Sequence, residues 1–98
     1  MKKKKILTFT ATYNEAENIK NLIYKIKRYN PNMHILIIDD NSPDGTGKII
    51  QKISKNIKNL RLITRTAKKG LDSAHKLAYK FALKNNYDYL ITMDADFS

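Results

Sequence analysis

Short apolar runs alternate along the chain with stretches that have the periodicity of a helix. Four runs predict β-strands over residues 5–10, 35–38, 60–64 and 89–93. The run at 35–38 has no polar residue, which is typical of a strand covered on both faces, as in a parallel sheet.

Three apolar stripes between these runs predict amphipathic helices. The members of each stripe are spaced three or four residues apart, so they share one helical face. The stripes are Ile19, Leu22, Ile23, Ile26 and Tyr29; then Ile49, Ile50, Ile53 and Ile57; then Leu71, Ala74, Leu77, Ala78, Phe81 and Ala82.

Polar residues at the ends of these stripes predict where the helices begin and end. Asn14 and Glu17 match the spacing of a capping box for the first helix. Asp72 or Ser73 is the predicted N-cap of the third. Asn-Pro-Asn at 30–32 and Asn-Asn at 85–86 predict the ends of the first and third helices.

The predicted order is β-α-β-α-β-α-β. This alternation indicates an α/β fold, with a parallel sheet and helices on both of its faces. Right-handed crossovers then restrict the topology closely. With 98 residues the chain has room for one domain, and we expect it to be part of something larger.

Composition excludes several classes of protein. The chain has no Cys, which excludes a disulfide scaffold, a thiolate metal site and a cysteine nucleophile. No apolar run approaches the roughly 18 residues that predict a membrane span. Threonines interrupt the apolar run behind the basic N-terminus, so no secretion signal is predicted.

The charges are arranged unevenly. Lys and Arg number 19 against 9 Asp and Glu, a formal net charge of +10. The lysines lie mainly in the helical stretches, and a basic surface of this kind suits a phosphorylated ligand or an anionic membrane. Nucleic-acid binding would rest on net charge alone, and we expect none.

Most of the acids follow directly after apolar runs. In an open α/β sheet, ligands bind at the carboxyl ends of the strands, so these carboxylates are expected to meet at one edge. A hard cation relieves their repulsion, and Asp94 and Asp96 suit Mg²⁺ or Mn²⁺ with phosphate oxygens completing the shell. The acids concerned are Glu15, Glu17, Asp39, Asp40, Asp44, Asp94 and Asp96.

Two turn-rich segments have two interpretations each. The loop at 41–47 either forms a simple turn, in which Asp44 caps the next helix, or shapes a nucleotide site. It lacks the ending of a P-loop and the spacing of a dinucleotide-binding loop. Lys68-Lys69-Gly70 is either a phosphate contact or a basic turn. His34 and His75 have no partner spacing, and we expect neither to be a ligand.

Four segments together resemble the family 2 glycosyltransferases, and most of all the polyprenol-phosphate mannosyltransferases. They are Thr-Tyr-Asn-Glu-Ala-Glu-Asn-Ile at 12–19, Ile-Ile-Asp-Asp-Asn-Ser-Pro-Asp-Gly-Thr at 37–46, Arg65 with Lys-Gly-Leu at 69–71 and Ala74, and Met-Asp-Ala-Asp-Phe-Ser at 93–98. Their order and spacing also agree, and the resemblance covers essentially the whole chain.

The resemblance implies a GT-A fold and a set of site residues. Those bordering the nucleotide base and ribose would be Ala11, Tyr13 and Glu15, and those contacting the base would be Ile38 and Asp40. Those at the metal and diphosphate would be Asp94, Ala95 through its backbone, Asp96 as the main metal ligand, and Ser98. Asp94 and Asp96 would be the catalytic pair.

The implied reaction is inverting transfer of mannose or another hexose from a nucleoside-diphosphate sugar, with GDP-mannose favoured. The acceptor would be polyprenyl or dolichyl phosphate, and the metal would be Mg²⁺ or Mn²⁺. We expect a cytoplasmic location, with peripheral contact to the cytoplasmic face of a membrane. Residues 1–98 would be the donor-binding N-terminal part of a longer enzyme, truncated after the fourth strand.

The sequence departs from the family at two positions. Ala11 stands where the family usually has Pro, and Asp72 stands where it has a small residue, which adds negative charge near the expected phosphate edge.

Two other functions stay open. The first is a catalytically inactive fragment that binds a nucleotide sugar or a partner chain. The second is a phosphotransfer domain, but the third strand ends in Thr64-Arg65 without a phosphoacceptor Asp, and the Asp-x-Asp pair follows the last strand rather than the first.

Overall fold

A computed structural model of the chain describes residues 4–66 and 70–94. Four strands and three helices alternate in the predicted order. The elements are β1 (Ile6–Thr12), α1 (Ile19–Tyr29), β2 (His34–Asp39), α2 (Thr46–Ser54), β3 (Leu60–Thr64), α3 (Leu71–Lys84) and β4 (Tyr89–Thr92).

The four strands form one parallel sheet in the order β3-β2-β1-β4. The register aligns Thr12 of β1 with Asp39 of β2, and Asp39 with Thr64 of β3. These three strands therefore end at the same level. Because all the strands point the same way, the loops that leave β1, β2 and β3 lie side by side at one edge of the sheet.

Helices cover both faces of the sheet, as predicted. On one face α1 and α2 pack through branched side chains against alternate residues of β2, Ile35 and Ile37. On the other face α3 packs through a stripe of alanines against the intervening residues, Leu36 and Ile38, and against Leu7 and Phe9 of β1. The small alanines allow α3 to approach the sheet closely.

The sheet has two edge strands, β3 and β4, and each is only partly covered. On β4, Tyr89 is 55% exposed and Ile91 is 43% exposed, whereas the central residues Leu36 and Ile37 are completely buried. The fourth strand is therefore more exposed than the centre of the sheet. Within residues 4–66 and 70–94, no helix combines the length and the apolar character that a membrane crossing requires.

Several boundaries and caps differ from the prediction. Strand β1 continues two residues further, to Thr12. The capping box at Asn14 and Glu17 is wrong: α1 begins at Ile19, Asn18 is its N-cap, and no side chain caps it. Asn14 instead has φ 57° and belongs to the loop.

The third helix also begins differently. Its N-cap is Gly70, rather than Asp72 or Ser73. Two residues of the predicted apolar stripes are exposed. They are Tyr29 (92% exposed) and Leu71 (58% exposed), and each lies at the end of its helix, beyond the part that packs on the sheet. The ends of α1 and α3 agree with the prediction, with Asn30 and Asn85 as their C-caps.

Candidate functional site

A shallow cleft opens at the carboxyl edge of the sheet, between the loop after β1 and the beginning of α3. Its volume is about 160 Å³. The residues around it come from the end of β1, the residue after β2 and the first residues of α3. They are Ala11, Thr12, Tyr13, Asp40, Gly70 and Leu71. Three predicted site residues, Ala11, Tyr13 and Asp40, therefore line one cleft.

An arginine directly after β3, Arg65, binds the carboxylate of Asp40. Arg65 donates from Nε to Oδ1 of Asp40 at 2.5 Å and from Nη2 to Oδ2 at 2.8 Å. This fork geometry is the strongest form of a carboxylate pair. The side chains are only 9% and 10% exposed, so water screens the pair weakly.

The same guanidinium group reaches the beginning of α3. Nη1 of Arg65 donates to Oγ of Ser73 at 2.8 Å, and Nη2 donates to the carbonyl oxygen of Gly70 at 3.2 Å. Arg65 thus connects two sides of the cleft, the one at Asp40 and the one at Gly70.

The adjacent aspartate, Asp39, lies on the opposite face of the sheet, where it connects the end of β1 to the loop after β2. Asp39 is 1% exposed. Its Oδ1 accepts from the hydroxyls of Thr12 and Ser42, both at 2.6 Å, and its Oδ2 accepts from the Ser42 backbone N–H at 2.9 Å. A buried carboxylate satisfied in this way ties the end of β1 to the loop after β2.

Three consecutive backbone N–H groups of the loop after β1 are bound by side-chain oxygens from the loop after β2. Backbone N–H groups in a loop have no partner within a strand or a helix, so they need one from elsewhere. The pairs are Asn14 with Ser42 Oγ at 2.9 Å, Glu15 with Thr46 Oγ1 at 3.0 Å, and Ala16 with Asp44 Oδ2 at 3.0 Å. The loop that carries Tyr13 is therefore held in place by its neighbour.

Both loops turn sharply just after their strands. Asn14 has φ 57° and Asn41 has φ 55°, in the left-handed region that Asn tolerates better than most residues. Gly45, with φ 90°, brings the chain into α2. The turn residues at 41–47 thus form a turn, as one interpretation proposed. Their side chains also support the loop beside the cleft, which neither interpretation included.

Asp44 accepts hydrogen bonds from both loops. Besides Ala16, it accepts from the backbone N–H of Thr46 at 3.0 Å and from the Thr46 hydroxyl. Slight burial alone would raise the pKa of Asp44, but the Thr46 hydroxyl and the backbone donors of Ala16 and Thr46 outweigh it and lower that pKa. The prediction that Asp44 is the cap of α2 is wrong, because Gly45 is the N-cap and no side chain caps the helix. Asp44 lies one residue earlier and holds the first N–H of the helix, that of Thr46, from there.

Two further residues expected at the base or ribose lie nearby without lining the cleft. Glu15 contributes backbone contacts, since its carbonyl oxygen accepts from the N–H groups of Asn18 and Ile19. Ile38 is completely buried in the cluster under α3, so its side chain packs in the core. A ligand contact at either residue stays a prediction.

Only part of the predicted metal site belongs to the described residues. The backbone N–H of Met93 still donates to the carbonyl oxygen of Phe9, so Asp94 follows directly after the β1–β4 pairing. Asp94 is exposed at the carboxyl edge. Ala95, Asp96 and Ser98 lie outside the described residues, as do Lys68 and Lys69. Within 4–66 and 70–94, no three acidic or histidine side chains meet at one point.

Each of the two histidines contacts an aromatic side chain: His34 contacts Tyr87, and His75 contacts Phe9. His34 begins β2 at the opposite edge of the sheet, and its Nδ1 lies 2.7 Å from the Tyr87 hydroxyl. Partial burial, with the nearby charges of Lys5 and Lys27, lowers its pKa. His75 packs edge-on against Phe9 with ring centroids 5.3 Å apart. Neither histidine lines the cleft.

Sequence reasoning missed the residues that support the site. The resemblance includes Arg65 without indicating its partner, and no spacing in the sequence indicates the contacts of Thr12, Ser42 and Thr46. One signal was available: Thr8, Thr10 and Thr12 alternate along β1 and are all buried. Alternation places Thr12 on the face that Asp39 occupies one strand away.

Comparisons with known proteins agree with this geometry. The family model for Glycosyl transferase family 2 matches residues 8–98. A polyprenol monophosphomannose synthase of Mycolicibacterium smegmatis is 35% identical over 91 residues, which is 92% of this chain and 34% of the relative. An undecaprenyl-phosphate mannosyltransferase of Micrococcus luteus is 34% identical over 94% of this chain and 38% of the relative.

An archaeal relative and a solved structure are also similar to this chain. A dolichol-phosphate mannosyltransferase of Pyrococcus furiosus is 36% identical over 94% of this chain and 26% of its own length. The structure of a mannosyltransferase from Pyrobaculum calidifontis, in complex with GDP-Man and Mn²⁺, superposes with a TM-score of 0.72. It is 23% identical, over 80% of this chain and 24% of that chain, and this likeness shows the fold.

The chain spans between a quarter and two fifths of the length of the curated relatives described here. The family match nevertheless covers nearly all of its residues, including the ends of β1 and β2 where the cleft is built. Because the family model matches residues 8–98, nearly the whole chain, this chain belongs to glycosyl transferase family 2.

Proposed function

We propose that residues 1–98 are the donor-binding N-terminal part of an inverting glycosyltransferase. Its donor is a nucleoside-diphosphate sugar, with GDP-mannose favoured, and its acceptor is a polyprenyl or dolichyl phosphate. The observation that carries the proposal is the cleft lined by Ala11, Tyr13 and Asp40 at the carboxyl edge of the sheet. Relatives named for transfer to polyprenyl phosphates support it.

The nucleobase end of the donor is assigned to this cleft. Tyr13 is 39% exposed beside it, so its ring offers an apolar surface to a flat base. Asp40, as an ionised carboxylate, accepts hydrogen bonds and donates none, so it suits the N–H groups at the edge of a base. Glu15 and the buried Ile38 complete the proposed base and ribose contacts.

The diphosphate end is assigned to the residues after β4. Asp94 supplies a hard oxygen ligand at the same edge of the sheet as the cleft, which is the type of donor that Mg²⁺ and Mn²⁺ prefer. Asp94 and Asp96, with Ser98, would hold the ion, and Ala95 would contact the donor through its backbone. A bound divalent cation would neutralise the diphosphate leaving group.

In the proposed reaction, an oxygen of the lipid phosphate bonds to the anomeric carbon of the sugar. The bond from that carbon to the diphosphate breaks on the opposite side, the configuration inverts, and the nucleoside diphosphate leaves with the electron pair. This chain's residues bind and orient the donor. The acceptor is assigned to a part of the enzyme that residues 1–98 do not include.

Basic helices suit a protein that meets a lipid acceptor at the cytoplasmic face of a membrane. Exposed lysines are found on all three helices, and each one near an anionic surface contributes about 1 kcal/mol. They include Lys20, Lys25, Lys48, Lys52, Lys76, Lys80 and Lys84. Replacing the α3 lysines with Glu is expected to weaken binding to anionic liposomes at low salt. Unchanged liposome binding would contradict the membrane contact.

Isothermal titration of GDP-mannose, GDP and UDP-glucose into the purified chain, with and without Mn²⁺, tests the donor site. We expect one nucleotide class to bind, and to bind more tightly when Mn²⁺ is present, and we expect Asp96→Ala to abolish this Mn²⁺-dependent gain in affinity. Asp88→Asn is the matched control, because Asp88 lies at the opposite edge of the sheet, where it accepts from the Lys5 N–H. A folded chain that binds none of these nucleotides would contradict the proposal.

A separate assay tests whether this chain catalyses transfer. The purified chain is incubated with radiolabelled GDP-mannose, undecaprenyl phosphate and Mn²⁺, and the lipid fraction is counted. We expect binding without product, which is the behaviour of an inactive nucleotide-sugar-binding fragment. Mannosyl lipid formed by residues 1–98 would contradict the assignment of the acceptor to another part of the enzyme.

A further inference from the structure

We infer that the outer side of α3 is the surface by which this protein docks on an anionic membrane. The exposed apolar side chains of the helix enter the headgroup layer, and the lysines beside them bind the lipid phosphates. This inference rests on the membrane contact of the proposed function, and it assigns that contact to one helix of the three.

A row of exposed side chains, mostly apolar, runs along α3. Leu71, Tyr79 and Leu83 are 58%, 61% and 61% exposed, and with His75 between them they lie at intervals of four residues. Residues four apart are neighbours on one side of a helix. Single exposed apolar side chains are common on protein surfaces, whereas several on one side of a helix are typical of a surface that binds a partner or a membrane.

A row of lysines lies directly beside this one. Lys76, Lys80 and Lys84 are exposed and again four residues apart, and each follows a member of the first row by one position. Asp72 is the one acidic residue of the helix. Lysines in such a place extend their apolar stems over the neighbouring side chains and their ammonium groups toward lipid phosphates. The two rows together are therefore complementary to an anionic bilayer surface.

The other two helices cannot share this contact. They pack on one face of the sheet and α3 packs on the other, so a flat bilayer that contacts α3 contacts neither of them. On α2, Lys48 and Lys52 are exposed and four residues apart, but no large apolar side chain of that helix is exposed. On α1 the exposed tyrosines, Tyr24 and Tyr29, are five residues apart and lie on different sides of the helix.

Docking through α3 keeps the cleft close to the membrane. The helix begins at the carboxyl edge of the sheet, where Gly70 and Leu71 line the cleft. The row of exposed side chains thus starts beside the proposed donor site. A lipid acceptor presents its phosphate at the bilayer surface, so this orientation places the donor site next to the layer that holds the acceptor.

Tryptophan fluorescence measures which face of the protein enters the bilayer. The chain has no Trp, so Tyr79→Trp and Tyr29→Trp each introduce one fluorophore at an exposed tyrosine, the first on α3 and the second on the opposite face. Each variant is titrated, without nucleotide or metal, with vesicles of phosphatidylcholine containing about one third phosphatidylglycerol. We expect the emission of Tyr79→Trp to shift to shorter wavelength and to be quenched by brominated lipids, and that of Tyr29→Trp to stay unchanged.

Variants matched in charge measure what each helix contributes to vesicle binding. Lys76→Glu with Lys80→Glu, and Lys48→Glu with Lys52→Glu, change the net charge equally. We expect the α3 pair to weaken binding roughly tenfold more than the α2 pair, because only the α3 lysines lie at the lipid phosphates. Leu83→Ser leaves the charge unchanged and is expected to weaken binding roughly fivefold, at high salt as well as at low salt. Circular dichroism verifies that each variant is folded.

Each result supports or overturns the docking surface. An emission shift confined to Tyr79→Trp, with the larger loss in the α3 pair, supports it. Equal emission shifts in both tryptophan variants, or equal losses in both charge pairs, overturn it, because the chain would then bind in no fixed orientation. A dimer that forms without lipid and that Leu83→Ser dissociates overturns it in favour of a second copy of this chain.

The docking surface and the donor site fail separately. A folded chain that binds no anionic vesicles overturns the docking surface and, with it, the membrane contact. Titration of GDP-mannose into the same chain in solution needs no lipid, so the donor site stands or fails by that measurement alone.

Discussion

The end of β2 and the end of β4 lie on the same edge of the sheet, yet their aspartates have very different surroundings. Asp39 and Asp40 are nearly buried, and side-chain or backbone donors from three elements bind them. Asp94 is exposed two residues after β4, an edge strand that pairs with β1 alone within the part of the chain that the structure describes. The carboxylates at the end of β2, where we propose that the nucleobase binds, are therefore held by hydrogen bonds from the protein itself, whereas Asp94 has no comparable support among the described residues.

This difference is consistent with two separate roles along the carboxyl edge of the sheet: base recognition at the end of β2 and cation binding after β4. A site that must discriminate between similar bases gains from groups fixed in advance, because each one moves little on binding. A carboxylate that binds a cation together with phosphate oxygens must stay accessible to both, as the exposed Asp94 is. The predictions below test whether the two halves differ as the structure indicates, beginning with the largest expected effect.

The largest effect is expected from Asp39→Ala. This change removes the buried acceptor of three hydrogen bonds and leaves Thr12 and Ser42 with unsatisfied donors. We expect it to reduce the free energy of unfolding by about 3 kcal/mol, measured by urea denaturation. Asp94→Ala, at the exposed end, is expected to change it by less than about 0.5 kcal/mol. Equal costs at the two positions would contradict the contrast between the two halves.

A smaller cost is expected from Thr46→Val. Thr46 is completely buried, and its hydroxyl accepts from the Glu15 N–H and donates to Asp44. Valine keeps the shape but leaves the Glu15 N–H without a partner, which is expected to cost about 1–2 kcal/mol. Hydrogen exchange at the Glu15 amide should accelerate more than exchange in α2. Unchanged exchange at Glu15 would show that the loop after β1 is held by other contacts.

The smallest effect is expected from the titration of Asp44. Because hydrogen bonds lower its pKa in the folded chain, its contribution to stability is fully present above the unfolded value of about 3.9. That contribution is lost as pH falls through the lower folded value. The stability difference between the wild-type chain and Asp44→Asn should therefore shrink on acidification below about pH 4. A difference that stays constant down to pH 2.5 would contradict this coupling.

The sequence predicted the fold well because the signals for it are local. Apolar runs and stripes of branched residues determined the order of elements, and their alternation determined the parallel sheet with helices on both faces. The capping predictions failed for an equally physical reason. Asn14 satisfies its N–H through Ser42, which is 28 residues away, and no local pattern records such a partner.

For Asp39 and Asp40, the sequence indicates the face of the sheet that each carboxylate occupies, but not the residues that bind it. Alternation along β2 places Asp39 on the face of Ile35 and Ile37, and Asp40 on the face of Leu36 and Ile38. The sequence therefore indicated that the two carboxylates diverge. Their partners could not be predicted from spacing, because Arg65 reaches Asp40 only when β3 pairs with β2.

Amide chemical-shift mapping by NMR tests the central claim most directly. GMP is added to the labelled chain in EDTA, and then GDP is added with Mg²⁺. The account predicts that GMP alone shifts the amides of Tyr13, Asp40 and Leu71 around the cleft. Amides from Asp94 onward should shift only when GDP and Mg²⁺ are both present. Shifts confined to the outer face of α3, or GMP binding that requires Mg²⁺, would contradict a preformed nucleobase site at the carboxyl edge.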